Sequence, residues 1–217
     1  TDFVAKNDDF TKFANDVAQI ALIDNSSDLN ELSSKKMSNG QSVDDYRSAL
    51  IGKIGENITI RRIVNKNSVG SHFSYLHGKK IGVLLDLSGG NETLGRDIAM
   101  HIAAMKPKAI KTSDVSQDLI EKEKRVATEK ALESGKPPEI MDKMVDGAIR
   151  KYLKEVSLHG QVFVKAEDAK ETVESLLKKN NANVESFDLF IVGEGLEKKS
   201  ENFAEEVAAT TAAAKVN

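Results

Sequence analysis

Four histidines, His72, His77, His101 and His159, are the side chains of this sequence best suited to bind a metal or transfer a proton. No two of them have the spacing of an H-x-x-x-H zinc site, and no carboxylate completes a familiar set of ligands. In a helix, His101 would share an apolar face with Ile98, which lies three residues earlier. We therefore interpret His101 as a hydrogen-bonded, partly buried histidine, and we expect no bound metal.

Two glycine-rich segments are candidates for a phosphate-binding loop, residues 88–90 (SGG) and 192–195 (VGEG). Neither matches G-x-x-x-x-G-K-[ST], or G-x-G-x-x-G after a strand, so we interpret both as tight turns. The sequence also has no cysteine and no G-x-S-x-G motif, which leaves no recognisable nucleophile for covalent catalysis. We expect a protein that is not an enzyme, binds no nucleotide directly and needs no cofactor.

The charge balance argues against a dedicated nucleic-acid binder. Lys and Arg total 31 and Asp and Glu total 34, a net charge of −3, whereas nucleic-acid binders usually carry a basic excess. The pair Arg61-Arg62 could contact RNA, but acidic residues are interleaved among the lysines elsewhere, so we interpret the basic residues as a solvated face. No apolar run approaches the roughly 18 residues that suggest a membrane span. We expect no membrane and no nucleic acid among the partners.

The chain begins at Thr1, without Met and without a secretory signal segment. We interpret this start as that of a truncated or processed fragment. The lack of cysteine fits a reducing compartment, and we expect a cytoplasmic protein.

Hydrophobic periodicity predicts the elements that would position these residues. Apolar side chains recur every three or four residues over 9–23, over 42–54 and from Asn91 to Pro107, which predicts three amphipathic helices. Alternation and β-branched content predict three strands in an antiparallel meander, at 57–64, 71–77 and 80–87. Later elements are expected as an extended segment at 161–165, a helix at 168–180, a strand at 185–192 and a C-terminal helix at 200–214.

Residues 117–156 are highly charged and predict two helices separated by residues 134–138 (SGKPP). In the second helix the apolar residues Met141, Val145, Ala148 and Tyr152 are spaced by 4, 3 and 4, as in a heptad. In the first helix the pairs that recur at seven residues are Leu119 with Val126 and Ile120 with Ala127. We expect a projecting antiparallel helical hairpin, a coiled coil of about 25 Å at a rise of about 1.5 Å per residue.

Helices and strands occur in both halves of the chain, which predicts an α+β fold with two subdomains, each with a small antiparallel sheet packed by helices. The expected organisation is residues 1–66 as the N-terminal part of the core, 67–116 as the rest of the first subdomain, 117–156 as the hairpin, 157–199 as the second subdomain, and 200–217 as a C-terminal helix and tail.

Short motifs in a fixed order resemble the bacterial-type elongation factor Ts family. They are T-D-F-V-A-K at 1–6, K-I-G-E-N-I at 53–58, Y-L-H-G at 75–78, D-I-A-M-H at 97–101, S-G-K-P at 134–137, G-Q-V-F-V at 160–164, V-G-E-G at 192–195 and N-F-A-E-E-V-A at 202–208. The resemblance covers nearly the whole chain and implies a two-subdomain core with an inserted helical hairpin. Two departures stand out: the family's small N-terminal helical domain is absent from this sequence, and Val162 stands where the family typically has Pro.

The resemblance also implies a partner and a site. Family members bind elongation factor Tu and promote GDP release during translation elongation. The segment Thr1, Asp2, Phe3 and Val4 resembles the part that dislocates Mg²⁺: Phe3 would insert between helices of the partner, and Asp2 would perturb the metal site. Further partner contacts are implied for Ile54, Gly55, His77, Val164 and Lys165. The Val162 departure makes the contact through the last two less secure.

Without the resemblance, these residues have ordinary structural interpretations. Asp2 and Phe3 could form an N-cap region with a hydrophobic staple, Gly55 could end a helix, and His77 could be a surface turn residue. An alternative function is a truncated scaffold that binds elongation factor Tu without promoting exchange. An RNA-binding protein is a third possibility, disfavoured by the charge balance and by the lack of an RNP-like aromatic motif.

Overall fold

The computed structural model describes residues 1–67, 70–167 and 170–195. Its contacts divide the chain into two compact units, one of residues 1–71 and one that begins at residue 72. The first unit contains α1 (Asp8–Ile23), α2 (Leu29–Ser34) and α3 (Val43–Ile54). The remaining elements are β1 (Ser71–His77), β2 (Ile81–Ser88), α4 (Glu92–Met105), α5 (Gln117–Glu133), α6 (Pro138–Val156), α7 (Val173–Lys179) and β3 (Asn183–Ile191).

The first unit is a small helical core. α1 begins where the side chain of Asn7 accepts a hydrogen bond from the Phe10 amide at 3.2 Å. Phe13 is buried, and its ring stacks on Tyr46 of α3 at 5.6 Å. The helices predicted at 9–23 and 42–54 are thus confirmed, and α2 supplies the partial helix expected between them.

The strand predicted at 57–64 is wrong. Its isoleucines, Ile58, Ile60 and Ile63, pack on the helices of the first unit, and the carbonyl of Ile58 accepts a hydrogen bond from the Arg47 guanidinium at 2.8 Å. The β-branched residues therefore serve core packing in an irregular segment, because β-propensity reflects packing of the side chains more than an intrinsic preference of the backbone. The first of the three consecutive strands predicted as a meander is therefore not formed.

One three-stranded sheet, in the order β1-β2-β3, lies in the described part of the chain. β1 and β2 match the predicted strands, but the third strand comes from the distant segment predicted at 185–192 and pairs antiparallel with β2. A register shift between Asp86 and Leu87 lets Val184 face the core together with Phe187. The α+β class is confirmed, with β3 of the C-terminal half completing the sheet of the N-terminal half.

α4 packs on this sheet and forms the core of the second unit with it. The side chain of Asn91 caps the helix by accepting the Leu94 amide at 2.9 Å, and the helix ends at Met105, just before Pro107. Ile98 and Ile102 are fully buried against the sheet. The predicted helix and its cap are confirmed.

The predicted hairpin is confirmed as a pair of helices, α5 and α6, that pack on each other. Ala127 is buried and Ile120 is half-buried, whereas Val126 is 42% exposed. Of the two sequence pairs at seven-residue spacing, the one at Ile120 and Ala127 therefore follows the seam between the helices. The four heptad residues of α6, Met141, Val145, Ala148 and Tyr152, are all half-buried.

The base of the hairpin is tied by backbone hydrogen bonds. The Lys108 amide donates to the Val156 carbonyl at 2.7 Å, and the Leu158 amide donates to the Ala109 carbonyl at 2.8 Å. A further bond joins the His159 amide to the Ile110 carbonyl at 2.9 Å. The chain therefore enters and leaves the hairpin at adjacent points.

The C-terminal predictions fall partly outside the described residues. The helix predicted at 168–180 is α7, which begins at Val173 with the Thr172 side chain as its cap. The predicted extended segment at 161–165 is a loop with an isolated bridge between Val162 and Thr172. The helix predicted at 200–214 lies beyond the described residues. None of the described helices is long and apolar enough to cross a membrane.

Candidate functional site

The N-terminal segment presents Phe3 to solvent. The phenyl side chain is 89% exposed and precedes a single 3-10 turn, Val4–Lys6. The cap of α1 is Asn7, so Asp2 does not cap this helix, and a ring that is so exposed forms no hydrophobic staple. The alternative interpretation of Asp2 and Phe3 as a helix-start motif is therefore wrong.

Glu56 holds this segment against the end of α3. The Thr1 hydroxyl donates a hydrogen bond to Glu56 Oε1 at 2.5 Å. A second link, between Lys53 Nζ and Asp9 Oδ2 at 2.5 Å, ties α3 to α1.

Residues 1–4 and 54–55, two groups that are far apart in sequence, are thereby brought together. Gly55 ends α3 with a φ of 81°, and its amide donates to the Ile51 carbonyl at 2.8 Å. A Cβ placed at Gly55 would meet nothing within 4 Å, so its backbone is open to approach. Ile54 is half-buried against the helical core. The helix-ending interpretation of Gly55 is confirmed, and it coexists with an exposed backbone beside the N-terminal segment.

His77 lies at the end of β1, within the second unit, and is exposed. Its ring stacks on Tyr75 at 6.4 Å, and the Tyr75 hydroxyl is 3.4 Å from Nδ1. The next-door Leu76 is 75% exposed. The interpretation of His77 as a surface residue beside a turn is confirmed, and its described hydrogen bonds are local to β1 and the turn that follows.

The loop of residues 161–165 carries the last two predicted residues. Val164 is 45% exposed, yet its amide donates to Nδ1 of His101 at 3.1 Å. Lys165 reaches Asp97 Oδ1 of α4 at 2.7 Å. Val164 is thus connected to α4 through its backbone amide, and Lys165 is connected to the same helix through its side chain.

His101 is fully buried and belongs to a polar network. Its Nε2 is 3.0 Å from Oε1 of Gln161, and Gln161 Nε2 donates to the Glu155 carbonyl at 2.8 Å. Burial lowers the pKa of His101 from its ordinary 6.5, against a smaller opposing effect of the Gln161 hydrogen bond. The predicted hydrogen-bonded histidine is confirmed, with burial that is complete where partial burial was expected.

Three residues that support these contacts were missed from sequence: Glu56, His101 as a partner of Val164, and Gln161. Glu56 lies inside the K-I-G-E-N-I motif, and Gln161 lies inside the G-Q-V-F-V motif, so the motifs themselves were the available signal. The two glycine-rich segments have positive φ at Gly89, Gly90, Gly193 and Gly195, as expected of tight turns. Among residues 1–67, 70–167 and 170–195, no group of three or more His, Asp or Glu could hold a metal ion.

Comparison with known proteins gives one consistent result. The family model described as Elongation factor TS matches residues 1–194. Elongation factor Ts of Burkholderia thailandensis, of Burkholderia multivorans and of Burkholderia cenocepacia are each 54% identical to this chain over 215 residues, which is 99% of this chain and 72% of each relative. The motifs, the fold and these matches agree: the chain belongs to the elongation factor Ts family, of bacterial type, and its role is that of an elongation factor in protein synthesis.

Proposed function

We propose that this protein is a guanine-nucleotide exchange factor that binds elongation factor Tu carrying GDP and promotes GDP release. The observation that carries the proposal is Phe3, an aromatic side chain that is 89% exposed within the T-D-F-V segment. A large apolar side chain gains little on a free surface, but it becomes a strong anchor when a partner buries it.

Exchange requires a difference in affinity rather than covalent chemistry. If the protein binds the GDP-free form of its partner more tightly than the GDP-bound form, then GDP binding must weaken by the same factor. No catalytic residue is needed, and the protein acts as a binding protein that is not an enzyme. The cytoplasm, where translation elongation takes place, is the compartment that this function requires.

Phe3 and Asp2 have separate roles in the proposal. The Phe3 ring inserts between helices of the partner's nucleotide domain and acts as a wedge. Asp2 is exposed and acts on the surroundings of the bound Mg²⁺ through its charge. Because that cation neutralises the diphosphate, its displacement loosens GDP.

The remaining contacts hold the two proteins together. Ile54 and Gly55 support the wedge from the end of α3, since the hydrogen bond from the Thr1 hydroxyl to Glu56 places them beside it. His77, Val164 and Lys165 provide further contacts from the second unit. We also propose that the hairpin, residues 117–156, is a separate module on this core, because its helices pack mainly on each other.

Release of a fluorescent GDP analogue from elongation factor Tu tests the proposal. We expect catalytic amounts of the protein to accelerate release, and excess GDP to dissociate the complex of the two proteins. Binding without faster release would favour the scaffold function instead. A complex that is indifferent to GDP would contradict the reciprocity on which the mechanism depends.

A further inference from the structure

We propose that His101 is a positioning residue for the partner contact at Val164 and Lys165, and that Gln161 locks the His101 ring in the required state. The inference rests on the proposed function, since it assigns these two residues to the interface. Its structural part, the control of a surface loop by a buried histidine, can be tested on the free protein.

The first observation is an unusual acceptor for the Val164 amide. Val164 is 45% exposed, so its side chain is available to a partner, while its N–H points inward to Nδ1 of His101 at 3.1 Å. The imidazole nitrogen thus accepts a backbone hydrogen bond that a main-chain carbonyl oxygen usually accepts. His101 is itself 0% exposed, so water does not compete for this nitrogen.

The network determines which nitrogen carries the proton. The Glu155 carbonyl can only accept, so the group of Gln161 that lies 2.8 Å from it is the amide NH₂. The Met105 carbonyl, at 3.5 Å from the same nitrogen, agrees with this orientation. Gln161 Oε1 therefore faces His101 and accepts from Nε2–H at 3.0 Å. The ring is then neutral, with the lone pair of Nδ1 directed at the Val164 amide.

This arrangement connects two helices, α4 and α6, to one loop. His101 and Asp97 are one turn apart on α4; the first holds the Val164 amide and the second holds Lys165 Nζ at 2.7 Å. Gln161, at the start of the loop, is bonded to the last turn of α6 through Glu155. The loop is therefore ordered before a partner arrives, which reduces the ordering cost of binding. Such a residue should affect the strength of binding more than the rate of GDP release at saturation.

Two substitutions of His101 separate its two hydrogen bonds. In His101→Asn, Oδ1 can replace Nδ1 as the acceptor for Val164, but the donor to Gln161 is lost. In His101→Gln, the amide can still donate to Gln161, but the acceptor for Val164 is lost. Both remove the ring that packs against Phe163 at a centroid distance of 5.9 Å, so each controls for the other.

The readout on the free protein is hydrogen exchange of the Val164 amide, measured by NMR. We expect exchange to be about tenfold or more faster in His101→Gln than in His101→Asn, because only the former leaves this amide without an acceptor. In the GDP-release assay, His101→Gln should raise the half-saturating concentration by about three- to tenfold, as for one lost interface contact. The release rate at saturation should stay within about twofold.

Three outcomes would overturn the inference. Equal Val164 exchange in the two variants would show that His101 does not hold the amide. Faster exchange with an unchanged half-saturating concentration would show that the loop is no partner contact, while exchange activity itself stands. Long-range ¹H–¹⁵N NMR of the unsubstituted protein needs no variant to fold, and a proton on Nδ1 would exclude the arrangement. If the unsubstituted protein does not accelerate GDP release from elongation factor Tu, the proposed function is refuted, whereas the hydrogen-exchange result is unaffected.

Discussion

The N-terminal segment and the loop of residues 161–165 are both proposed to contact the partner, but they are held in opposite ways. Phe3 is almost fully exposed, and its segment is tied to Glu56 at the surface by the hydroxyl of Thr1. Val164 is tied through a fully buried histidine, whose own partner Gln161 is buried as well.

The difference predicts how function and stability are coupled in each region. A residue that contacts no core can be changed with little effect on the fold, because no cavity and no unsatisfied polar group results. A buried hydrogen-bonding group cannot be changed without an effect on stability, since removing its partner leaves a polar atom that no water can reach and that makes no hydrogen bond. We therefore expect changes in the N-terminal segment to alter exchange alone, and changes in the His101 network to alter exchange and stability together.

The largest expected effect, and the sharpest test of the comparison, is that of Phe3→Ala. The substitution should slow catalysed GDP release by about 10- to 100-fold, as expected for about 1.4–2.8 kcal/mol of lost interaction. Stability should change by less than about 1 kcal/mol because the ring has no core to fill. Stopped-flow release of a fluorescent GDP, with melting curves as a check, measures both.

Ile23→Ala is a matched control for Phe3→Ala, because Ile23 is 81% exposed in the same unit and has no proposed role. The Ile23→Ala protein should promote GDP release from elongation factor Tu at the parent rate. If the Phe3→Ala protein also promotes exchange at the parent rate, the wedge mechanism is refuted. If it melts at a lower temperature than the parent protein, Phe3 is a core residue.

Asp2→Ala should have a milder effect, about three- to tenfold, since it removes one exposed charge. The defect should grow as Mg²⁺ concentration rises, because the proposed role of Asp2 is to act against the bound metal. A titration of release rate against Mg²⁺ checks this, with Asp2→Asn separating the charge from the shape of the side chain. A defect of the same size at every Mg²⁺ concentration would place Asp2 away from the metal.

Glu56→Ala should slow release by about two- to threefold, because it frees the segment that presents Phe3 while leaving the ring in place. Glu56→Gln keeps an oxygen that can accept from the Thr1 hydroxyl, so it should recover most of the activity. Release rates of the two variants at matched concentrations give the comparison. Equal defects would show that the carboxylate charge acts directly on the partner.

The smallest expected effect concerns pH and distinguishes the buried network from the exposed segment. Burial holds the pKa of His101 below 6.5, so the unfolded chain binds more protons and stability falls as pH drops below about 6.5. One proton accounts for at most about 1.4 kcal/mol per pH unit. The carboxyls with lowered pKa, such as Glu185 with its hydrogen bonds from Ser88 and Asn183, lose their contribution only below their ordinary values near 4.5, outside this window.

Urea unfolding between pH 5 and pH 7 measures this dependence. His101→Gln should flatten it. His159→Gln is the necessary control, because burial also lowers the pKa of His159. An unchanged slope in His101→Gln would show that His101 does not titrate on unfolding in this range.

Local sequence patterns were sufficient to predict the helices whose formation depends on residues that are close together in sequence. α1, α3 and α4 were predicted from their apolar spacing and from side-chain caps such as Asn91. The hairpin followed from heptad spacing and from the break at residues 134–138. In each case the residues that decide the structure lie within about one or two turns of each other.

Long-range pairings could not be obtained in this way. Residues 57–64 have the composition of a strand but form an irregular segment, whereas β3 crosses from the far end of the chain to lie beside β2. The bond between His101 and Val164 likewise joins residues that are 63 positions apart. The family resemblance implied the residues of the candidate site, but the groups that hold them depend on tertiary contacts that no local pattern encodes.

The hydrogen-bonded base of the hairpin has a consequence for how much the hairpin can vary in length. Since the backbone around Ala109 is paired with that around Leu158, the ends of the inserted helices stay together whatever lies between them. The entropic cost of closing such an excursion rises only by about 0.6 kcal/mol for each doubling of its length. We therefore expect that heptads can be added or lost without disturbing the rest of the unit, so that the reach of the hairpin can vary independently of the fold that carries it.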